Sequence, residues 1–444
     1  MNVDAVVTVP CNDVPTDSEF KGYNKFLVQD LIIEVKTTEY RLERWQTPDG
    51  KYITASVPTE IAGSHFGPGL KRYILFQHHS NRVPQNKIHE ELCEMGINIS
   101  AGQIDKILND AVQQFRHEKE EILDVGLRNS QCIGADDTGA RHAGKNGFCL
   151  VVRNDLFAYY ASTQSKSRIN FLKVLQGKNS DFVINEATTE YCETHKFKDK
   201  LLAHVHNNGN KIFQNEAAWQ DFLNSYAMTT EQQKIFTEGA MIGSLVHHGI
   251  SKNIVLVSDD AGQFNLFVHA LCWAHAIRNI QKVVTADDAT CAEVDQVLEE
   301  MRKYYKKLKE YQKSPSQKST ALLWSEFDAI TDTKVINPAL RKALDKLACN
   351  KDELLKVLKY PFIPLTNNGS ERDIRTYVIK RKISGGTRSE NGREARDTFT
   401  SLFATCRKNG VSVWDYLIDR IQKINTIPYL SELIKAKAQS ATSP

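Results

Sequence analysis

Three acidic residues in this sequence each stand at the edge of an ordered element, where a carboxylate can hold a metal ion. Asp136 lies in QCIGADDTGAR, Asp259 follows the apolar run of NIVLVSDD, and Glu371 lies in PLTNNGSERDIR. Mg²⁺ prefers oxygen ligands, and two such ions about 3.5–4 Å apart can activate a nucleophile and stabilise a leaving oxygen at phosphorus. The three acids therefore indicate phosphodiester chemistry. A chain with 54 acidic residues offers many triples, so the triple alone does not decide the function.

The sequence after Glu371 is basic, although the whole chain carries a net charge of only +3. From Glu371 to Arg396 we count eight basic and four acidic residues, which gives this stretch a net charge of +4. A basic helix and a glycine-containing loop beside an acidic metal site suit a polyanionic backbone. The residues expected to contact DNA phosphates here are Arg372, Arg375, Lys380, Arg381, Lys382 and Arg388.

The segment CWAH places Cys272 and His275 three residues apart. Two such residues are too few for a structural zinc site. A Cys/His nucleophile pair is disfavoured as well, because no motif of that chemistry surrounds them. We therefore expect Cys272 to pack and His275 to orient the nearby carboxylates.

The elements that must position the acids follow an α/β plan. Strands are predicted at residues 131–136, in FCLVVRN and in LFAYYAST, and their short connections make them an antiparallel meander. A buried strand at 253–259 and a strand in HALCWAH that leads into a helix come later. Because α/β folds tend to place their sites at strand ends, a central sheet would present the acids there.

Two helices before the predicted sheet fit a helix-turn-helix. Gly96 ends the first helix, and Ser100 can cap the second. In a DNA-binding interpretation the second helix presents Gln103 and Lys106 to a groove. An ordinary pair of packed helices explains the same pattern, and a further linking helix is predicted over 111–126.

The composition excludes several classes of protein. The chain has 444 residues, of which 41% are apolar and 25% charged, as in soluble globular proteins of about two or three domains. No apolar run approaches the roughly 20 residues of a membrane span, and the polar N-terminus is unlike a secretory signal. Nine cysteines occur singly, without a C-x-x-C pair, which favours reduced cytoplasmic thiols.

GADDTGAR, VSDDAGQF…LCWAH and PLTNNGSERDIR, in this order, resemble the bacterial DDE transposases of insertion-sequence family sixty-six. The similarity extends from about Phe26 to Ile421 and includes HFGPGLKRYIL and GINISAGQI. Its most specific part is the N-N-x-x-E-R box with the upstream C-W-x-H. The resemblance implies an α/β, ribonuclease-H-like (retroviral-integrase-like) catalytic core that a helical insertion interrupts before the last acid. It also implies metal-dependent cleavage of transposon ends and strand transfer into target DNA.

Carried over residue by residue, the family's catalytic and metal-binding acids fall on Asp136, Asp259 and Glu371. They would hold two Mg²⁺ ions, or Mn²⁺ in their place. Asp137 and Asp260 would then point away, because consecutive side chains of a strand alternate. We expect Asp260 to serve the turn into AGQF.

The resemblance also sets expectations about partners and location. The expected partners are double-stranded DNA, as transposon ends and as target, a second copy of the chain, and accessory proteins of the element, with no membrane. The expected location is the bacterial cytoplasm, at the nucleoid. Such transposases often carry an N-terminal cysteine-bearing zinc element preceded by more helical sequence, whereas this sequence has only Cys11 there, as in a shortened copy, one part of a split element or a domesticated derivative.

We expect six segments along the chain. They are a disordered N-terminal segment (1–22), a small β-rich region (23–65), a helical helix-turn-helix DNA-binding region (66–128), the first part of the catalytic core (129–285), a helical insertion (286–362), and the last part of the core with C-terminal helices (363–444). Two other functions stay open: a transposase-derived DNA-binding regulator without catalytic transposition, and a structure-selective DNA nuclease on the same fold.

Overall fold

The computed structural model describes residues 3–58, 61, 64–197, 202 and 211–442. The ends of the predicted N-terminal segment and β-rich region, and the last two residues of the chain, fall partly outside the described residues, at 1, 2, 59, 60, 62, 63, 443 and 444. The described strands are β1 (Arg44–Gln46), β2 (Tyr52–Thr54), β3 (Cys132–His142), β4 (Lys145–Arg153), β5 (Ala158–Thr163), β6 (Phe182–Ile184), β7 (Lys211–Phe213), β8 (Val255–Ser258) and β9 (Val268–Leu271).

The helices of the described residues are numbered here in chain order. They are α1 (Pro68–Leu75), α2 (Gln85–Glu94), α3 (Ala101–Arg128), α4 (Arg168–Gln176), α5 (Glu186–Thr194), α6 (Glu216–Asn224), α7 (Thr230–His247), α8 (Trp273–Gln281), α9 (Asp288–Lys313), α10 (Gln317–Thr331), α11 (Pro338–Cys349), α12 (Lys351–Leu354), α13 (Asn368–Ser384), α14 (Glu390–Lys408), α15 (Val413–Gln422) and α16 (Leu430–Thr442). A π-helix, Phe76–Ser80, follows α1, and the short 3₁₀-helices Gly262–Phe264 and Lys356–Leu358 follow β8 and α12. Within the described residues, no helix is both long and apolar enough to span a membrane.

A five-stranded mixed sheet with the strand order β5-β4-β3-β8-β9 forms the centre of the fold. Strands β3, β4 and β5 form the antiparallel meander that the sequence predicted. Strands β8 and β9 run parallel to β3, and Gly134 of β3 pairs with Val257 of β8. All four residues of β8 are buried, as expected for a central strand that helices cover on both faces.

Alternate residues of the central strands pack on opposite sides of the sheet. Leu150 and Leu256 belong to the large apolar cluster that also contains side chains of α3, α4, α7 and α14. Val151 and Tyr160 face the other side, where they pack with Ile374 and other residues of α13. The sheet therefore lies between helical layers, and α13 crosses the face that carries the even-numbered positions of β3.

Helix α3 combines the second helix of the predicted helix-turn-helix with the linking helix that was predicted to follow it. The Ser100 hydroxyl accepts a hydrogen bond from the Gln103 N–H (3.2 Å), and Gln103 Oε1 accepts from the Ser100 N–H (2.7 Å). This capping box fixes the predicted start of the helix. The helix then continues for 28 residues, because apolar side chains such as Ile104, Leu108 and Phe115 keep the helical period without interruption. The predicted linking helix at 111–126 is therefore part of α3.

The outer edge of β5 is covered by side chains of α14. Edge strands carry unpaired backbone N–H groups, which attract other chains unless they are satisfied. The bonds that satisfy them run from Ala158 N–H to Thr405 Oγ1 (3.2 Å), from Tyr160 N–H to Ser401 Oγ (2.9 Å) and from Ser162 N–H to Asp397 Oδ2 (2.7 Å). The acceptors are four residues apart on the helix, which places them on one face.

The N-terminal region forms less structure than its alternating pattern predicted. Strands β1 and β2 pair as a hairpin, and Gly50 has a φ of +82° at the predicted Asp49–Gly50 turn. Residues 3–43 contain no helix or strand, and their side chains are exposed. The strands expected between residues 26 and 43 are absent, because an alternating segment that packs against no other element has nothing to stabilise strand pairing.

Helices α9 to α12 occupy most of the region predicted to be a helical insertion. Their apolar side chains form one cluster with Val255, Val257 and Trp273. Two tyrosine hydroxyls donate to backbone oxygens within it, Tyr304 to Leu323 and Tyr311 to Leu358, each at 2.7 Å. The predicted helical pattern is confirmed, and the division of the chain into domains stays a prediction.

Candidate active site

The three acids singled out in the sequence come from three separate elements. Asp136 lies in β3, Asp259 directly follows β8, and Glu371 lies in the first turn of α13. Because Gly134 pairs with Val257 and side chains alternate, the residues two further along, Asp136 and Asp259, point to the same face of the sheet. Helix α13 packs on β3 across that face and adds Glu371.

The pKa of Asp136 is affected by the neighbouring carboxylates. Burial raises the pKa of Asp136 to about 7, and repulsion from Asp259, Asp137 and Glu371 adds to the shift. The backbone N–H of Asp137 opposes it by donating to Asp136 Oδ1 at 2.8 Å. A divalent cation among these oxygens would relieve the repulsion and favour the ionised form.

Asn367 fixes the start of α13 against the sheet. Its Nδ2 donates to the carbonyl oxygen of Ala135 (2.8 Å), and its backbone N–H donates to Cys272 Sγ (3.1 Å). Ser370 is fully buried and packs so closely on Gly134 that a Cβ at position 134 would clash with the Ser370 Oγ. The glycine therefore allows α13 to approach β3. The sequence predicted packing for Cys272, and the structure adds that its sulfur accepts a hydrogen bond at the start of the helix that carries Glu371.

Helix α8 brings two nitrogen-bearing side chains to Glu371. His275 Nε2 lies 3.6 Å and Arg278 Nη2 lies 3.9 Å from Glu371 Oε1. Arg278 is positively charged, and within the described residues the buried Oε1 has no hydrogen-bond partner. Sequence reasoning singled out His275 and missed Arg278. The signal that could have found it is the spacing of three residues, which puts Arg278 one turn after His275 on the same helix face.

Asp137 lies away from this face, as strand alternation predicts. It forms an ion pair with Lys166, and its Oδ2 accepts a hydrogen bond from Gln263 Nε2 at 2.7 Å. Since both oxygens already have partners, Asp137 acts on Asp136 through its charge and its backbone N–H.

The turn after β8 corrects the role expected for Asp260. Asp259 Oδ1 accepts from the Ala261 N–H at 3.2 Å, so Asp259 itself caps the turn. Asp260 forms an ion pair with Lys346 of α11. The chain leaves the strand at this point, and Asp260 therefore contacts the neighbouring helical region and not its own turn.

A buried hydrogen-bonded chain leads to the same turn. Ser258 Oγ lies 2.8 Å from His269 Nε2, and His269 Nδ1 lies 3.0 Å from Glu353 Oε1. Serine hydrolases use this order of residues, but Ser258 is 0% and His269 5% exposed, so substrate cannot reach the hydroxyl. The Ser258 hydroxyl instead donates to the backbone oxygen of Asp259 at 2.7 Å. These three hydrogen-bonded side chains therefore position the end of β8. They lie too far apart in the sequence to form a recognisable motif.

The basic residues predicted on and after α13 do not share one environment. Arg372, Arg375, Lys382 and Arg388 are exposed. Arg381 is half-buried and donates to Thr138 Oγ1 at 3.4 Å. Lys380 differs from all of them, because only 4% of it is exposed and its Nζ lies 3.1 Å from His79 Nδ1. The exposed members lie on the same helix as Glu371 or in the loop after it.

The predicted groove-binding residues lie at the start of α3. Gln103 and Lys106 are both exposed. The Gln103 side chain is already used in the capping box, which leaves Lys106 as the more available of the two.

The donor set of the site suits a hard divalent cation. Asp259 and Glu371 act electrostatically on Asp136, and the buried Oε1 of Glu371 has no hydrogen-bond partner among the described residues. Among the residues that the structure describes, no group of three His, Cys, Asp or Glu side chains, these acids included, lies close enough together to hold a metal ion. Mg²⁺ typically binds one or two carboxylates and completes its shell with water and substrate phosphate. The residues therefore fit Mg²⁺ better than a metal that needs a closed protein cage.

Sequence comparison identifies the family. The profile described as "Transposase IS66 family" matches residues 63–191 and 240–395, together more than half of the chain. The chain belongs to the IS66 family of transposases. Asp136, Asp259 and Glu371 all lie in the matched ranges. Within Sinorhizobium fredii (strain NBRC 101917 / NGR234), the "Uncharacterized protein y4jO" is 37% identical over 321 residues, which are 71% of this chain and 100% of the relative.

Proposed function

We propose that this IS66-family chain is a DDE transposase that cuts transposon ends and joins them to target DNA, with Asp136, Asp259 and Glu371 as catalytic acids. The observation that carries the proposal is the approach of these three carboxylates on one face of the central sheet. An antiparallel meander followed by two parallel strands supports the ribonuclease-H-like core that the sequence resemblance implies. Family membership adds that the chain is a transposase by descent.

The three acids would hold Mg²⁺, or Mn²⁺, and the bound ions would supply an activated water or 3′-hydroxyl and charge stabilisation at the phosphoryl oxygens. The chain's own residues position this site. Arg278 attracts the Glu371 carboxylate by its charge, His275 lies beside the same carboxylate, and Asn367 fixes the start of α13 against β3. In the protein without metal, Asp136 holds its proton up to about pH 7, which limits the repulsion among the acids.

DNA would approach the exposed side of α13. Arg372, Arg375 and Lys382 are exposed on that helix, and Arg388 in the loop after it. Each such cation that neutralises a phosphate releases counterions, which gives salt-dependent binding without base specificity. We propose that Lys106, at the start of α3, contributes to recognition of the transposon ends, and that two subunits act together on paired ends.

The catalytic assignment is tested by cleavage of a supercoiled plasmid that carries the element's ends, with Mg²⁺ or Mn²⁺. Asp136→Asn, Asp259→Asn and Glu371→Gln should each reduce cleavage below detection. Asp260→Asn is the matched control and should retain cleavage, because Asp260 contacts Lys346 and not the site. If the three variants cut as well as wild type, the assignment of the catalytic acids is wrong.

The products of the same reaction separate the remaining functions. Ends joined to target DNA support transposition. Cleavage without joining indicates a structure-selective nuclease. Sequence-specific binding of the ends without metal-stimulated cleavage indicates a DNA-binding regulator.

A further inference from the structure

A pocket of about 280 Å³ opens between α13, α14 and the π-helix Phe76–Ser80. Its deepest basic residue, Lys380, follows Glu371 by nine residues, or about two and a half helical turns. The two side chains therefore leave α13 on opposite sides, and the pocket is separate from the carboxylate site. The charged residues that line it are Arg82, Asp373, Lys380, Arg407 and Lys408, four cations and one carboxylate.

Lys380 is buried, and among the described residues it forms no ion pair with a carboxylate. It is 4% exposed, and its Nζ lies 3.1 Å from His79 Nδ1. Asp397 is the acid that acts on it, but the Asp397 carboxylate is hydrogen-bonded to Ser162. Burial, followed by the charges of Arg396 and Arg82, lowers the pKa of Lys380 to about 7. An unpaired buried charge is costly, so an anion beside Lys380 would be stabilising.

His79 adds a second donor at the wall of this pocket. The ring is 8% exposed and stacks on Phe399 with 4.3 Å between ring centroids. Burial lowers the pKa of His79 well below its usual value, so the ring is neutral. An ammonium group can only donate, so Lys380 in its charged form donates to Nδ1 and the ring proton lies on Nε2. Among the described residues, this buried Nε2 has no acceptor.

The other charges of the pocket leave it positive. Asp373 accepts ion pairs from both Arg153 (2.8 Å) and Lys408 (2.9 Å), so it is already neutralised. Arg407 donates to Ser80 Oγ at 2.8 Å. Within the described part of the chain, neither Arg82 nor Arg407 forms an ion pair with a carboxylate.

We propose that this pocket is a binding site for a phosphate group, with Lys380 and His79 at its base and Arg82 and Arg407 at its rim. Arginine guanidinium groups bind phosphate oxygens in pairs, and lysine binds them as a point charge. Phosphate of this chemistry comes from two sources, a DNA strand or a free phosphate-bearing ligand. The site goes beyond the proposed cleavage reaction and does not depend on it.

Calorimetric titration of the full chain with sodium phosphate, against sodium chloride at equal ionic strength, tests the proposal. Wild type should bind phosphate saturably at one site. The rim variant Arg82→Gln/Arg407→Gln should bind at least tenfold more weakly, and Lys380→Met should show no binding. Lys306→Gln, an exposed charge loss on α9, is the matched control and should bind as wild type does. If Lys380→Met alters the circular dichroism spectrum, the variant is misfolded, and the comparison of the rim variant with wild type decides the outcome.

Absence of saturable phosphate binding by wild type, or equal affinity in the rim variant, would overturn the proposal. Fluorescence anisotropy with a labelled DNA duplex then identifies the source. If DNA supplies the phosphate, added phosphate should weaken DNA binding more than chloride does, and the rim variant should lose DNA affinity that Lys306→Gln retains. If the ligand is free, DNA affinity should stay unchanged while phosphate still binds. Failure of DNA cleavage affects neither arm.

Discussion

At Asp136, burial and the neighbouring carboxylates act in the same direction, because both raise the pKa of its carboxyl group. Its pKa of about 7 in the folded chain stands against an ordinary value of 3.8. Between these two values the folded state holds a proton that the unfolded state has lost. The free energy of unfolding therefore falls as the pH rises through this interval, and it stays low above it. The buried carboxyl group of Asp136 therefore lowers the free energy of unfolding at alkaline pH.

Asp136→Asn should remove this penalty. Each unit of pKa shift corresponds to about 1.4 kcal/mol, so in the absence of divalent metal the variant should be more stable than wild type at pH 8 by a few kcal/mol. The difference should shrink towards pH 4. Urea unfolding at both values measures it, and Mg²⁺ should stabilise wild type at pH 8 but not the variant. Equal stability of the two proteins at pH 8 would show that burial and the neighbouring carboxylates do not raise the pKa of Asp136.

Arg278 is a second residue with a testable role at the site. It places a positive charge 3.9 Å from Glu371 Oε1, where it would compete with the Mg²⁺ ion that we propose for the site. Arg278→Gln should lower both the maximal cleavage rate and the Mg²⁺ concentration for half-maximal cleavage. Arg302→Gln, an exposed charge loss on α9, should change neither value. A variant that loses activity at an unchanged Mg²⁺ requirement would indicate a merely structural arginine.

Among the elements, α14 has two tasks because it packs on the sheet and also completes the hydrogen bonding of its edge. Ser401 Oγ accepts the Tyr160 N–H, and the same hydroxyl donates to the Asp397 carbonyl oxygen at 2.6 Å. Tyr160 lies on the strand that ends the sheet and is fully buried. The helix therefore replaces the neighbouring strand that β5 lacks.

Ser401→Ala should leave the buried N–H of Tyr160 without a partner. Such a loss costs about 1–3 kcal/mol, so the urea midpoint should fall accordingly. Ser325→Ala, which removes an exposed hydroxyl from α10, should leave the midpoint unchanged. An unchanged midpoint in Ser401→Ala would mean that the strand edge finds another acceptor.

For the whole molecule, Glu118 of α3 is the residue that joins the early helices to the C-terminal ones. Its carboxylate accepts from Tyr416 Oη (2.8 Å), Arg420 Nε (2.9 Å) and the backbone N–H of Leu430 (2.9 Å). Glu118 is 4% and Arg420 7% exposed. These hydrogen bonds connect residues that lie some 300 positions apart in the sequence.

Glu118→Gln should destabilise the whole chain, because it removes one of the two carboxylates that form ion pairs with the buried Arg420. Removing one partner of a buried ion pair costs about 3–5 kcal/mol, and the remaining ion pair with Asp419 should place the loss at or below the lower end of this range. Differential scanning calorimetry should show a lower Tm, whereas Glu299→Gln, at an exposed ion pair of α9, should leave Tm nearly unchanged. Similar Tm values for the two variants would mean that the C-terminal helices do not depend on α3.

Local patterns in the sequence were enough to predict the family and most elements of the central sheet. Apolar runs predicted β4 and β8, alternation placed Asp136 and Asp137 on opposite faces, and the conjunction of three motifs predicted the IS66 family. These are local features, because strand faces follow from a period of two residues and motifs from fixed spacings. The alternating pattern correctly predicted the hairpin of β1 and β2, but it was misleading over residues 26–43, where no strand forms.

Contacts between residues far apart in the sequence became visible in the tertiary structure alone. It brought Arg278 to Glu371, joined Ser258 to Glu353 through His269, and buried Lys380 in a pocket, although Arg375 and Lys382 on the same helix are exposed. The sequence carries no spacing that predicts such contacts. They depend on how α8, α12 and α13 pack on the sheet, and packing is decided by the fit of whole faces to one another.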